Sequence, residues 1–176
     1  MSRPTAAEYL ATLATTIPDF PEPGVLFRDL TPVLANAAAL ASVADALGEP
    51  FFGEYDVVAG VEARGFAFAA AAAARSGHGL LLIRKEGKLP GERLAESYAL
   101  EYGVATLEVH VHQVPPASRI LLVDDVLATG GTLAAAQRLI GRAGWTLAGT
   151  AVALEIGALG GRAVLEPEPV HALLVV

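Results

Sequence analysis

Residues 120–132 read ILLVDDVLATGGT. Ile120 to Val123 form an apolar run that suits a buried strand. Leu127-Ala128-Thr129-Gly130-Gly131-Thr132 then turn into a helix with a polar-to-apolar pattern from Gly131 onward. Two adjacent glycines remove Cβ atoms from the turn, and the first N–H groups of the helix can converge on an anion. Thr129 and Thr132 add hydroxyl donors. Asp124 and Asp125 stand beside this trap and would repel a bare anion. One ligand class satisfies both features: a sugar phosphate, with its phosphate at Ala128, Thr129, Gly130, Gly131 and Thr132, its vicinal hydroxyls on Asp124 and Asp125, and Mg²⁺ nearby. Two acids after a strand also suit the metal-binding strand of a P-loop NTPase, but the chain has no GxxxxGK[ST], and Lys88 is followed by Leu89. It has no GxGxxG either. A plain strand-to-helix turn with water-facing acids remains open for these letters alone.

Working outward, the pattern alternates. Ala6–Ala14 reads as a helix, Leu34–Leu47 as a helix, Tyr55–Gly60 as a strand, Gly65–Arg75 as a helix and Leu80–Arg84 as a strand. Tyr98–Tyr102 and Val104–Val111 read as extended. Arg119–Val123 is a strand, Gly131–Ala143 a helix and Thr146–Ile156 a strand. This order predicts an α/β fold: a mostly parallel twisted sheet flanked by helices, with ligands beyond the carboxyl ends of its strands. Residues 1–176 fit a single domain. Pro18, Pro21, Pro23, Gly24 and Pro32 exclude a long regular element near the N-terminus. Residues 85–97 read as an irregular polar loop, long enough to serve as a lid.

Composition narrows the chemistry. The chain has 176 residues, 53% of them apolar, a net charge of -7 and no cysteine. Thiolate metal sites, iron–sulfur clusters and cysteine nucleophiles are excluded. The acidic balance gives no footprint for nucleic acid, so a phosphate ligand needs local cations. The run Gly65–Ala74 is too short to span a bilayer, and the N-terminal segment has no export-type apolar core, so no membrane association and a cytoplasmic location are expected.

Such cations follow other strands. Arg64 sits in Glu62-Ala63-Arg64-Gly65 at a helix start, where it could face a second anion; a solvent-facing arginine beside a helix cap is the plainer reading. Lys85 and Lys88 follow the next strand and suit either a diphosphate or a solvated loop. Phe27 offers a stacking face for a flat base, with backbone groups of Leu26 and Arg28 beside it, though a core-covering loop has the same composition. His110 and His112 share one strand face, without a third ligand to make a metal site.

Taken together, FPEPGVLFRDLTPVL, AGVEARGFAF, LIRKEGKLPG, SYALEYG and VDDVLATGGT, in this order, resemble the adenine phosphoribosyltransferase branch of the type I phosphoribosyltransferases. The resemblance implies that fold, with an N-terminal hood at about 17–33 and a mobile lid loop at about 85–103. It implies transfer of 5-phosphoribosyl from 5-phospho-α-D-ribose 1-diphosphate (PRPP) to adenine, giving AMP and diphosphate, in a Mg²⁺-dependent homodimer. The metal would be held by Asp124 and Asp125 indirectly, through substrate and water. The resemblance makes Arg64 and Glu101 catalytic, with Tyr102 beside the base and Arg64, Lys85 and Lys88 on diphosphate, and it implies a non-proline cis peptide in the loop at Arg64. The bare letters of Glu101 suit a surface strand end. Two rival readings stay open: a 6-oxopurine phosphoribosyltransferase, and a non-catalytic sensor of PRPP.

Overall fold

The computed structural model describes residues 3–20, 22–99 and 103–176. Its centre is the strand β3 (Val57–Val61), whose five residues are all buried. Parallel neighbours flank it: β4 (Gly79–Lys85) on one side and β7 (Arg119–Leu127) on the other. Beyond β7 lie β8 (Thr146–Glu155) and β9 (Val170–Val175), also parallel. Beyond β4 lies an antiparallel hairpin of β6 (Val104–His110) and β5 (Arg93–Ala99). The seven strands run β5-β6-β4-β3-β7-β8-β9. Strands buried on both faces need helices on both, and the apolar runs of β3 and β7 meet that demand.

Period-two alternation divides the core. Leu121 and Val123 pack with α1 (Ala6–Leu13), α3 (Ala37–Gly48) and α4 (Gly65–Ser76). Ile120 and Leu122 pack with Leu133, Ala136 and Leu139 of α5 (Gly131–Arg142), and with Trp145. The helices carry local signals for their ends. A reciprocal Thr5–Glu8 capping box starts α1, and the left-handed Gly77 closes α4.

Three expectations change, and the exclusion of a long element near the N-terminus holds. The helix read through Leu34–Leu47 is two helices, α2 (Thr31–Ala35) and α3, because the Asn36 side chain accepts from Ala38 and Ala39 N–H and starts a new helix. The strand read as ending at Val123 continues to Leu127, since β8 pairs with it as far as Leu127↔Glu155; both acids therefore sit within the strand. The proline-rich segment still forms a small antiparallel pair, β1 (Thr15–Pro18) with β2 (Leu26–Asp29). Residues 93–97, read as loop, belong to β5. There Leu94, Glu96 and Tyr98 alternate as the half-buried face, a strand period masked by its charged members. The short helix α6 (Gly161–Leu165) and the strand β9 carried no signal strong enough to be read.

Candidate functional site

Two recesses share one wall at the carboxyl end of the sheet. The smaller, about 90 Å³, is lined by Asp124 and residues 126–133. The larger, about 770 Å³, is lined by Phe20 and Phe27 of the hood, Glu62, Ala63 and Arg64 of the loop before α4, Lys85, Tyr98, Asp124, Asp125 and Thr132. Asp124 and Thr132 belong to both. The end of β7 supplies the shared wall: Asp124 borders both recesses with its Oδ1 against the start of α4, and Asp125 borders the larger one beside Arg64.

The backbone of the small recess suits an anion. Gly130 has φ +85, no side chain caps α5, and the first helical bond is Ala134 N–H to the Gly130 carbonyl. The leading N–H groups therefore keep their hydrogen-bonding capacity and the positive end of the helix dipole. The turn is braced from behind. A Cβ on Gly130 would lie 2.6 Å from the Gly161 carbonyl oxygen, and one on Gly161 would lie 2.2 Å from that of Ala128. The two backbones touch directly, which only paired glycines permit.

Asp124 and Asp125 are only 9% and 8% exposed. Burial, then the charge of Asp125, pushes the Asp124 carboxyl well above the usual carboxylate range, although Asp125 N–H donates to Asp124 Oδ1 at 2.9 Å. Arg64 Nε lies 2.7 Å from Asp125 Oδ2, near enough for ion pairing but not aligned as a hydrogen bond. That buried oxygen thus has no hydrogen-bond donor. Arg64 is also stacked over Phe27, 4.7 Å from the ring centroid, and its Nη1 donates to the Arg28 carbonyl at 3.4 Å. One guanidinium thereby joins hood, loop and acid pair.

Close approach of α4 makes this possible. A Cβ at Gly60 would fall 2.7 Å from that of Ala69, and one at Gly65 2.5 Å from Asp124 Oδ1. The expected cis bond is present at Glu62-Ala63. Glu62 then reaches across to accept from Lys85 N–H at 2.9 Å, with Arg84 Nε at 3.5 Å, tying the loop to the end of β4.

The structure brings together most, but not all, of the residues read from sequence. Phe27, Arg64, Lys85, Asp124, Asp125 and Thr132 meet on the large recess, and Ala128, Thr129, Gly130 and Gly131 line the small one. Lys88 is exposed and lines neither. The side chains of Leu26 and Arg28 also stay off both, Leu26 being 57% exposed and Arg28 bonded to Thr16 Oγ1. The Arg28 backbone does reach the site, its carbonyl accepting from Arg64 of the large recess. Glu101 and Tyr102 lie outside the described residues. His112 lies 3.5 Å from the Glu92 carboxylate and is largely exposed, and no group of three potential metal-ligating side chains occurs among the described residues.

Four contributors escaped sequence reading. Glu62, Tyr98 and Gly161 are described above; the fourth is Glu108, 2% exposed, which accepts from Gly87 N–H at 3.1 Å and Arg93 Nε at 2.7 Å. A charged residue inside the apolar alternation of β6 was the available signal, and it fixes the turn after Lys85 to the hairpin of β5 and β6.

Comparison with known proteins agrees with this geometry. Residues 29–163 match the phosphoribosyl transferase domain. An adenine phosphoribosyltransferase of Clavibacter sepedonicus is 59% identical over 170 residues, covering 97% of this chain and 88% of that protein. The crystal structure of the Rhodothermus marinus adenine phosphoribosyltransferase superposes with a TM-score of 0.91 at 45% identity, covering 97% of this chain and 98% of the other. A Saccharomyces cerevisiae adenine phosphoribosyltransferase, crystallised with adenine and an imino-altritol bisphosphate, gives 0.90 at 36% identity over 96% and 98% of the two chains.

Proposed function

The chain belongs to the phosphoribosyl transferase family, in its adenine phosphoribosyltransferase branch, and from that premise we propose how its residues divide the reaction. The reaction transfers 5-phosphoribosyl from PRPP to adenine, giving AMP and diphosphate. The observation that carries the assignment of roles is the buried acid pair shared by the anion recess and the recess with an aromatic wall.

In this proposal the turn at Ala128–Thr132 holds the 5-phosphate, and Asp124 and Asp125 accept hydrogen bonds from the ribose hydroxyls. Adenine lies on Phe27, with its polar edge toward the backbone of Leu26 and Arg28. Arg64 and Lys85 receive the diphosphate, and Lys88 contributes from the rim. The purine N9 forms its bond to the anomeric carbon as the carbon–oxygen bond to diphosphate breaks, and that electron pair leaves on the diphosphate oxygen. Glu101, with Tyr102 beside it, is assigned to the N9 side, taking up or directing the proton that N9 gives up. The hairpin of β5 and β6 shields the oxocarbenium-like centre from water.

Magnesium fits the donor set. Asp125 Oδ2 is buried without a hydrogen-bond donor, and buried carboxylate oxygens beside a diphosphate site suit a hard dication held mainly by substrate and water. When bound, it supplies charge neutralisation for the diphosphate leaving group. We place the chain in the cytoplasm as a homodimer. No helix among the described residues is long and apolar enough to cross a membrane. Sedimentation would test the dimer.

The deciding assay follows product formation from PRPP with adenine, hypoxanthine, guanine and xanthine, with and without Mg²⁺. AMP formation with adenine, lost on chelation and at least about a hundredfold weaker with the 6-oxopurines, is expected, since a site built for one hydrogen-bonding edge strongly rejects another. Equal use of hypoxanthine would overturn the base assignment, and undiminished turnover in excess EDTA the metal.

A further inference from the structure

The lid hairpin is fastened along α5. Glu96 accepts from Arg138 Nε at 2.6 Å and Arg142 Nη1 at 2.7 Å, and Arg142 Nη1 also reaches the Ala95 carbonyl at 2.7 Å. These two guanidinium groups hold the Glu96 carboxyl below its usual range. Two residues further along β5, the Tyr98 hydroxyl accepts from Thr132 Oγ1 at 3.1 Å. The Tyr98 ring lies over the start of the helix, its Cδ2 3.7 Å from the place a Cβ on Gly131 would take. Glu96 meets Arg138 and, two strand residues on, Tyr98 meets Thr132, six residues back along the helix, so β5 runs antiparallel to α5 with the clamp and the tyrosine less than about 10 Å apart.

Thr132 has one hydroxyl proton and two lone pairs. Here it gives the proton to Tyr98. A phosphate in the turn offers only acceptors, so the proton must be redirected to it, which leaves a Thr132 lone pair facing the phenol. The tyrosine O–H is then the donor that satisfies it, and donation into Thr132 strengthens the bond from Thr132 to phosphate. Resting on the phosphate role of the turn, we propose that Tyr98 is a positioning residue for the 5-phosphate: its hydroxyl reverses from acceptor to donor at Thr132 when phosphate binds, and the Glu96–Arg138–Arg142 clamp keeps it there. The lid strand is therefore bound more firmly to α5 when the phosphate is present.

Ribose 5-phosphate, which binds without reacting, isolates the effect. Calorimetry should give a dissociation constant about three- to tenfold weaker for Tyr98→Phe than for the wild-type protein, the scale of one hydrogen bond. KM for PRPP should rise by the same factor, while KM for adenine and the melting temperature stay as in the wild type. Glu96→Gln should weaken ribose 5-phosphate in the same sense. The double variant should be no weaker than Tyr98→Phe alone, because both changes act through one contact. Wild-type affinity in Tyr98→Phe, or a parallel rise in both KM values with a fall in melting temperature, would overturn the proposal. A wild-type protein that turns over PRPP yet binds ribose 5-phosphate elsewhere than the turn would overturn the phosphate assignment itself.

Discussion

Replacing Gly161 with alanine tests whether the anion turn depends on a backbone it does not share. Gly161 opens α6, has no positive φ, and touches neither recess, so alanine adds one methyl group without backbone strain. That methyl would sit 2.2 Å from the Ala128 carbonyl oxygen and 2.9 Å from Gly130 N, contacts that real Cβ atoms do not make. Both obstructing atoms are backbone, so the turn must retreat by about 1 Å, a displacement on the scale that costs about a hundredfold in rate. Overpacking of this kind costs about 1–3 kcal/mol, or about 2–4 °C in melting temperature for each kcal/mol in a chain of this size. Steady-state kinetics with PRPP varied at saturating adenine, together with thermal melting, measures both. The expected result is a large loss of kcat/KM for PRPP, a modest fall in melting temperature and near-normal KM for adenine. Gly161→Ala with wild-type kinetics toward PRPP would refute the idea that α6 sets the position of the turn.

Other outcomes follow from the same geometry. Phe27→Ala should raise KM for adenine by about tenfold or more, with ribose 5-phosphate affinity unchanged, since a stacked ring is worth about 1 kcal/mol beyond its area; titration of both ligands checks it. Glu108→Gln leaves Arg93 without its counter-charge and loosens the Gly87 turn, so KM for PRPP should rise more than KM for adenine, with a stability loss of about 1–3 kcal/mol. Asp124→Asn concerns pH. Because the folded state holds the Asp124 proton more tightly than the unfolded chain, the wild type loses stability as pH rises from the ordinary carboxylate range to the raised folded value. In Mg²⁺-free buffer the variant should therefore melt higher than the wild type at neutral pH, with the gap closing toward pH about 4, while losing activity. A gap independent of pH, read from melting curves, contradicts the cost assigned to that buried charge.

Local sequence was sufficient wherever one element carries both its own pattern and its own chemistry. The run from Ile120 to Thr132 announces a buried strand, two acids and a glycine-opened helix, and Glu62 to Gly65 announces a loop before an alanine-rich helix. Their periodicities, 2 and 3.6, are properties of the chain itself. Strand β5 was hidden because Arg93 and Glu96 look solvated until Glu108, Arg138 and Arg142 are brought to them.

What tertiary structure decided was who meets whom. The end of β7 puts Asp124 on both recesses and Asp125 beside Arg64, but only the packing of α4 against β3 brings that arginine within reach. Likewise Gly161 carries no signal in its letters, and becomes the support of the turn at Ala128–Thr132 only when α6 presses its backbone against Ala128 and Gly130. Patterning is set by interactions within a few residues. A buried charge pair or a backbone-to-backbone contact is set by neighbours distant in sequence, whose approach only the packed core fixes.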